Sequence, residues 1–276
     1  MHLSLSVRIA EEFLSKEKAR LPLDELASLA REAGFESLCM RASQVGVHTA
    51  GQLQEQAAAT IRAQGLSVSM VTGDFDIVYN NESGPACLRN IGPYLQLARI
   101  LEAPLIRVAL KSADDIPWAQ RAADAAAEFG LQLVHQCHTL SLFETVDGIE
   151  RTLRQIARPN FGLIYEPANL EICGQDYGPA TIARLAPWLV NVYLQNQRLG
   201  PQGKVTLDTW CCGPVSFDLI PIHAGGGINF PLVFEGLAAI GYQGPVTAHQ
   251  SGFDDEPLVE TATRTANYLK GAMHAG

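Results

Sequence analysis

The 276-residue chain has no run of about 18 consecutive apolar residues, the length a membrane-spanning helix needs. It has no basic stripe either. Lys and Arg total 20 against 29 Asp and Glu, a net charge of −9, and the basic residues are scattered singly. Such an acidic chain repels phosphate, so neither nucleic acid nor a membrane is an expected partner. The start, Met-His-Leu-Ser-Leu-Ser-Val-Arg-Ile, lacks the basic segment and apolar stretch of a signal peptide and reads as a first strand. The cysteines Cys39, Cys87, Cys137, Cys173, Cys211 and Cys212 include no Cys-x-x-Cys pair, which argues against a zinc knuckle or a disulfide framework. A reducing, cytoplasmic setting is the expectation. No Gly-x-Gly-x-x-Gly follows the first strand, so a dinucleotide fold loses its main support.

What is present is a recurring unit: a short apolar strand, polar loop residues, an amphipathic helix, then a Gly or Pro stop. Strands are expected to begin near His2, Phe35, Leu66, Ala103, Leu131, Phe161, Asn191 and Pro245, with spacings of 33, 31, 37, 28, 30, 30 and 54. Units of about 30 residues suit βα repeats. Leu23, Leu26, Leu29 and Ala30 stripe a helix stopped by Gly34, and Ala57, Ala58 and Ile61 one stopped by Gly65. Ile91, Leu95, Ala98 and Leu101 mark a third; Ala122 and Ala126 mark a fourth, stopped by Gly130; a last helix runs from Pro257 to about Met273. Eight such units predict a closed (β/α)8 TIM barrel, one domain over residues 1–276. The long spacing is assigned to an extended loop at about 199–227 after strand seven, in the position of a lid.

In such a barrel the active site lies at the C-terminal strand ends, and side-chain alternation tells which residues reach it. If Val192, Leu194, Val246, Ala248, Ile106 and Val108 face the helices, then Tyr193, Gln195, Gln197, Thr247, His249 and Arg107 face inward. The same reasoning turns Glu166 inward, opposite to Leu163 and Tyr165, and puts Gln136 and His138 on one face of strand five. Gln136, His138, Glu166, Gln195 and His249 therefore converge, a set able to hold a divalent cation, with Gln136, Glu166, Gln195 and His249 as ligands. One carboxylate makes the affinity modest. His138 and His249 are the catalytic candidates; Arg107, Tyr193, Arg198 and His223 are the substrate-binding candidates. Each has a plainer reading. A strand-end His is often hydrogen-bonded structure, Arg107 can pair with a carboxylate, Glu166 before Pro167 can cap a helix, and Cys211-Cys212 suits loop packing.

Several segments resemble the sugar phosphate isomerase/epimerase family with the xylose isomerase-like barrel. Leu29-Ala30-Arg31-Glu32-Ala33-Gly34-Phe35-Glu36 resembles its junction between helix one and strand two. Leu131-Gln132-Leu133-Val134-His135-Gln136-Cys137-His138 resembles strand five, where relatives read Leu-Ala-Leu-Glu-Asn-His. Asn160-Phe161-Gly162-Leu163-Ile164-Tyr165-Glu166-Pro167 resembles strand six, which usually ends in Asp-Pro. Ile228-Asn229-Phe230 and Gly241-Tyr242-Gln243-Gly244-Pro245 resemble the last helix and the approach to strand eight. The resemblance implies a divalent metal (Mn, Mg, Zn or Co) held by Glu, Asp, His and Glu at the ends of strands five to eight. Here those positions read Gln136, Glu166, Tyr193 (with Gln195 the nearest inward metal-capable side chain) and His249. The Glu common at the end of strand two is Cys39.

The family's two glutamates exchange a proton beside a carbonyl, while the metal stabilises the enediolate. Gln136 cannot accept a proton; His138 and His249 can. Three readings stay open: a metal-dependent sugar isomerase or epimerase with an altered site, a lyase cleaving a 3-keto glycoside by β-elimination, and a sugar-binding protein without catalysis. The expected partner is a small carbohydrate; association into a homo-oligomer is left open. An endonuclease of the same superfamily would need a richer multi-metal set and a basic DNA face.

Overall fold

The computed structural model describes residues 1–12 and 15–275. The barrel strands are β1 (His2–Ser6), β2 (Ser37–Arg41), β3 (Ser67–Thr72), β4 (Leu105–Val108), β5 (Gln132–Gln136), β6 (Phe161–Tyr165), β7 (Leu189–Leu194) and, after three strands of a separate sheet, β11 (Pro245–Ala248). They close as β1-β11-β7-β6-β5-β4-β3-β2, with every pair parallel. Each strand starts within two residues of the position expected from the repeat. The helices are α1 (Leu23–Ala33), α2 (Gly51–Ala63), α3 (Phe75–Tyr79), α4 (Ala86–Arg89), α5 (Gly92–Ile100), α6 (Ile116–Ala127), α7 (Val146–Ile156), α8 (Pro167–Ile172), α9 (Pro179–Leu185), α10 (Phe230–Ala239) and α11 (Leu258–Ala275).

Local chemistry explains their limits. In α1, Asp24 and Glu25 lie in the first turn and Arg31 in the last, each complementing the helix dipole. Gly34 stops the helix at φ +88°, its N–H returning to the carbonyls of Ala30 and Arg31. Buried Leu26, Ala27 and Ala30 then face the barrel.

Alternation along the strands divides the interior in two. Leu38, Ile106, Val108, Leu163, Tyr165, Val192, Leu194, Val246 and Ala248 belong to the large core beneath the helices. Cys39, Met70, Leu105, Val134, Ile164 and Tyr193 form a smaller apolar cluster that fills the barrel itself. This is the parity expected from the sequence, and it places Arg107, Gln136, Glu166 and Gln195 two residues above that cluster.

The segment expected as a loop after strand seven folds instead as a three-stranded antiparallel sheet. Its strands β8 (Asn196–Leu199), β9 (Val205–Thr209) and β10 (Gly213–Ile220) lie in the order β8-β10-β9. Thr206, Leu207, Val215 and Phe217 carry the β-branched and apolar positions that pairing favours. Glu144 ties the turn between β9 and β10 to the barrel: its carboxylate accepts the N–H groups of Leu140 (3.0 Å), Trp210 (2.8 Å) and Cys211 (3.1 Å). Cys211 and Cys212 are free thiols in this turn.

β6 and β7 approach each other closely where their register shifts between Leu163 and Ile164. A Cβ on Gly162 would lie 2.3 Å from Val190 Cγ2 and 2.9 Å from the Trp188 carbonyl oxygen. Gly162→Ala is therefore expected to destabilise the chain by about 1–3 kcal/mol in urea denaturation, the usual cost of overpacking. Val190→Ala in the same chain should recover part of the loss, because it removes the side-chain clash and leaves the carbonyl one.

Candidate active site

The strand ends open into a cavity of about 290 Å³ roofed by β9 and β10. Gln136, His138, Glu166, Gln195, His249 and Arg107 all line it, so six of the residues singled out in the sequence share one site. Tyr193 lies one layer below, with its ring stacked on His249 at 4.1 Å and its hydroxyl 3.0 Å from Cys39 Sγ. Arg198 and His223 do not reach the cavity. Arg198 extends past the barrel rim to the carbonyls of Gly225 and Gly226, and His223 faces Glu256 at 3.7 Å in a cleft beside α11.

Glu166 is 1% exposed. It stands at the N-cap of α8 but makes no side-chain cap, since its carboxylate turns inward to Gln136 and Asn169. Oε2 accepts from Gln136 Nε2 and from Asn169 Nδ2, the latter at 2.7 Å. Burial raises its pKa to about 7, against the opposing pull of Gln136, Arg8 and Arg107.

The imidazoles shift the other way. Burial first, then Arg107, holds His138 well below the usual range; burial, then Arg8, Arg41 and Arg107, does the same to His249. Both rings are neutral at neutral pH, unlike the near-neutral titration expected for His138 from its type alone. Asn80 Nδ2 lies 2.9 Å from His138 Nδ1 and also donates to the Thr139 carbonyl at 2.7 Å. Nδ1 also lies 3.1 Å from the Thr139 carbonyl oxygen, which can only accept, so its two neighbours ask opposite roles of it; with Asn80 as the donor, the proton sits on Nε2. His249 Nδ1 lies 3.0 Å from Ser6 Oγ.

Sequence reasoning missed Arg8, Lys16 and Arg41, which also line the cavity. Arg8 Nη1 donates to Gln195 Oε1 and, at 3.2 Å, to the His249 carbonyl. Buried Arg41 pairs with buried Glu11 at 2.8 Å, and Ser43 Oγ donates to the same carboxylate oxygen at 2.6 Å. For Arg41 the missing signal was parity, since it lies two residues beyond inward Cys39 in the same strand; Arg8 lies past the end of β1, where alternation stops. Five buried side-chain atoms have no partner among the described residues, on Ser37, Thr72, Arg107, His135 and Gln136; of these residues Arg107 and Gln136 line the cavity.

These contacts bear on the divalent ion implied by the resemblance. Of the four candidate ligands, Gln195 has its oxygen taken by Arg8, Gln136 turns its N–H₂ toward Glu166 with its Oε1 unpartnered, and His249 meets Ser6 through Nδ1, leaving Nε2 as its one remaining donor atom. One buried carboxylate would then hold a dication among Arg8, Arg41 and Arg107. This donor set does not fit a divalent metal.

A family model described as xylose isomerase-like TIM barrel matches residues 27–270. The chain is 24% identical over 286 residues to the rhizopine catabolism protein MocC of Rhizobium meliloti, covering 92% of this chain and 83% of that protein. It is 26% identical over 153 residues to the inosose dehydratase of Geobacillus thermodenitrificans (strain NG80-2), 54% of this chain and 51% of that one. Among solved structures it resembles a xylose isomerase-like TIM barrel protein from Mycobacterium smegmatis in complex with magnesium (TM-score 0.71, 15% identity, 99% of this chain and 97% of that chain). It also resembles a D-psicose 3-epimerase crystallised in the presence of D-fructose (TM-score 0.73, 12% identity, 99% of each chain). At these identities the structures speak to the fold alone.

The Arg41–Glu11 pair yields a test of what holds the cavity wall. Removing one partner of a buried pair leaves an uncompensated charge, typically costing about 3–5 kcal/mol. Arg41→Met should lose that much stability in urea denaturation at pH 7, and Arg41→Met with Glu11→Leu should lose clearly less. Equal losses in the single and double variants would mean the charges are not coupled.

Proposed function

Because the chain belongs to the xylose isomerase-like TIM barrel family, we propose that it is an enzyme that removes a proton next to a carbonyl in a small carbohydrate, with Glu166 as the base. The observation that carries this reading is the placement of Glu166. It is the buried carboxylate on the cavity wall, oriented by Gln136 and Asn169 and bound directly to no cation. A pKa of about 7 suits a general base, since such a group is ionised at working pH yet holds a proton well.

His138 is assigned as donor to the carbonyl oxygen through Nε2–H, in place of the base role that residue type suggests. A raised carboxyl beside a depressed imidazole is the pattern expected when one group takes a proton and the other polarises. The C–H bond breaks toward Glu166, and its electron pair moves to the carbonyl oxygen as an enediolate. From there Glu166 returns the proton to the former carbonyl carbon, while the hydroxyl proton of the deprotonated carbon passes to the former carbonyl oxygen and leaves a new carbonyl behind, an isomerisation. Alternatively the electrons form C=C as an oxygen substituent leaves with the proton, a β-elimination. Both need one base. Epimerisation by two opposed carboxylates is disfavoured, because the positions of the family's two glutamates read Gln136 and His249 here.

Incubation in D₂O with a panel of ketoses, keto-inositols and 3-keto glycosides tests this class-wide, with ¹H NMR reading deuterium incorporation beside the carbonyl. A substrate should exchange, and Glu166→Gln should slow exchange by about 10²- to 10⁴-fold, the usual cost of losing a general base. The base acts deprotonated, so kcat/KM should rise with pH through about 7 and level above it. His138 stays neutral over that range and adds no limb of its own. Exchange in wild type that survives in Glu166→Gln would assign the base elsewhere.

A further inference from the structure

The cavity walls carry more positive charge than a neutral sugar requires. Arg8, Arg41 and Arg107 line it, with Lys16, whose pKa burial and the neighbouring guanidinium groups lower to about 7, against Glu166 and the solvent-exposed Asp208. Glu11 lies behind Arg41 and is already engaged by it and by Ser43. The chain as a whole is acidic, with 29 Asp and Glu against 20 Lys and Arg, so this concentration of cations is local.

Arg8 occupies a particular place. It follows β1 by two residues, and the β1–β11 register carries it to the ends of β7 and β11. There its Nη1 bonds Gln195 and the His249 carbonyl. It thus stands among the side chains that the sequence suggested as metal ligands, and it uses one of their oxygens. Burial and Arg41 lower its pKa to about 10, which still leaves it charged at neutral pH.

Two of the residues with an unpartnered buried atom stand on the cavity wall. Arg107 is 4% exposed and its Nε needs an acceptor; Gln136 is 3% exposed and its Oε1 needs a donor. At that wall a ligand presenting an oxyanion and a hydroxyl would complement a guanidinium and an amide.

We propose that Arg8 is the resident positive charge of this site in place of a metal ion, and that with Arg107 it binds a hydroxylated oxyanion, the carboxylate or phosphate of a sugar acid or sugar phosphate. The proposal rests on reading the mouth as the active site and adds the substrate class. Bidentate guanidinium groups match the planar carboxylate and the phosphate alike. The cavity, about 290 Å³, is at the small end of the roughly 300–1,000 Å³ of ligand sites and suits one sugar unit.

Isothermal titration calorimetry on the purified chain tests this without any turnover. The probes are Mn²⁺ alone, D-gluconate, D-glucose 6-phosphate and uncharged D-glucose. The expected result is binding of at least one anion, at least 10-fold tighter than glucose and weakened at least 10-fold in both Arg8→Gln and Arg107→Gln. Mn²⁺ should show no stoichiometric binding, and protein purified without chelator should carry no equivalent of divalent metal. The tighter anion identifies carboxylate or phosphate as the group recognised. Circular dichroism confirms that each variant is folded; if Arg8→Gln is not, Arg8→Lys takes its place, with the same loss expected because a single ammonium cannot reproduce the planar fork. One equivalent of Mn²⁺ lost in Glu166→Gln would overturn the proposal, as would anion binding indifferent to Arg8, or no binding of either anion. Proton abstraction from a neutral sugar by Glu166 would stand in each of those cases.

Discussion

Closure of the barrel at β1 is the constraint on which the site depends. β1 pairs with β11 through Ser4↔Thr247 and Leu5↔Ala248, and with β2 through Ser6↔Cys39. Those registers set the inward faces of the first and last strands against each other. A slip of one residue would turn every one of those side chains to the opposite face. Polar pairs hold the closure from inside: Ser4 and Ser69 hydroxyls meet at 2.7 Å, and Thr247 donates to Asn191 at 3.0 Å. With these bonds made and the Tyr193 cluster above them, the lower barrel is sealed, and the charged layer is confined to the mouth.

Much of this was legible beforehand because alternation and repeat length are local properties of the chain. Strands were placed within two residues, and the inward parity of Arg107, Gln136, Glu166, Gln195 and His249 followed from their apolar neighbours. Arg8 was not found because it lies past the end of β1, in a short 3-10 turn over Val7–Ala10, where alternation no longer applies by rule. Arg41 was passed over although Cys39 had been identified two residues earlier. The β8-β10-β9 sheet was read as loop because its Gly and Pro content signals turns. Its pairing is decided by the Glu144 tether and by packing over the mouth, neither of which leaves a periodic mark. Arg198 and His223 were attractive as residue types alone, and type does not carry position.

The titrations in the site share one cause. Burial penalises whichever form is charged, so the same dry cavity raises Glu166 and lowers His138 and His249. Arg8 and Arg107 pull Glu166 back down, but burial outweighs them. Had the guanidinium groups won, Glu166 would be a permanently ionised ion-pair partner and a poor base. A base near neutrality therefore depends on the cations being close enough to stabilise an anion yet not bonded to this carboxylate, an arrangement that Gln136 and Asn169 maintain by occupying Oε2.

This also separates fixed from exchangeable positive charge. A bound dication delivers two charges at one point and demands several oxygen or nitrogen lone pairs turned toward it. Guanidinium groups deliver one charge each, spread over a plane, and demand acceptors in that plane. A site relying on them needs more than one, along with acceptors of its own to hold them in place when no ligand is bound. Gln195 and the His249 carbonyl do this for Arg8, and Glu11 with Ser43 does it for Arg41. Arg107 lines the cavity with no such acceptor among the described residues, which makes it the guanidinium on which an incoming anion gains most.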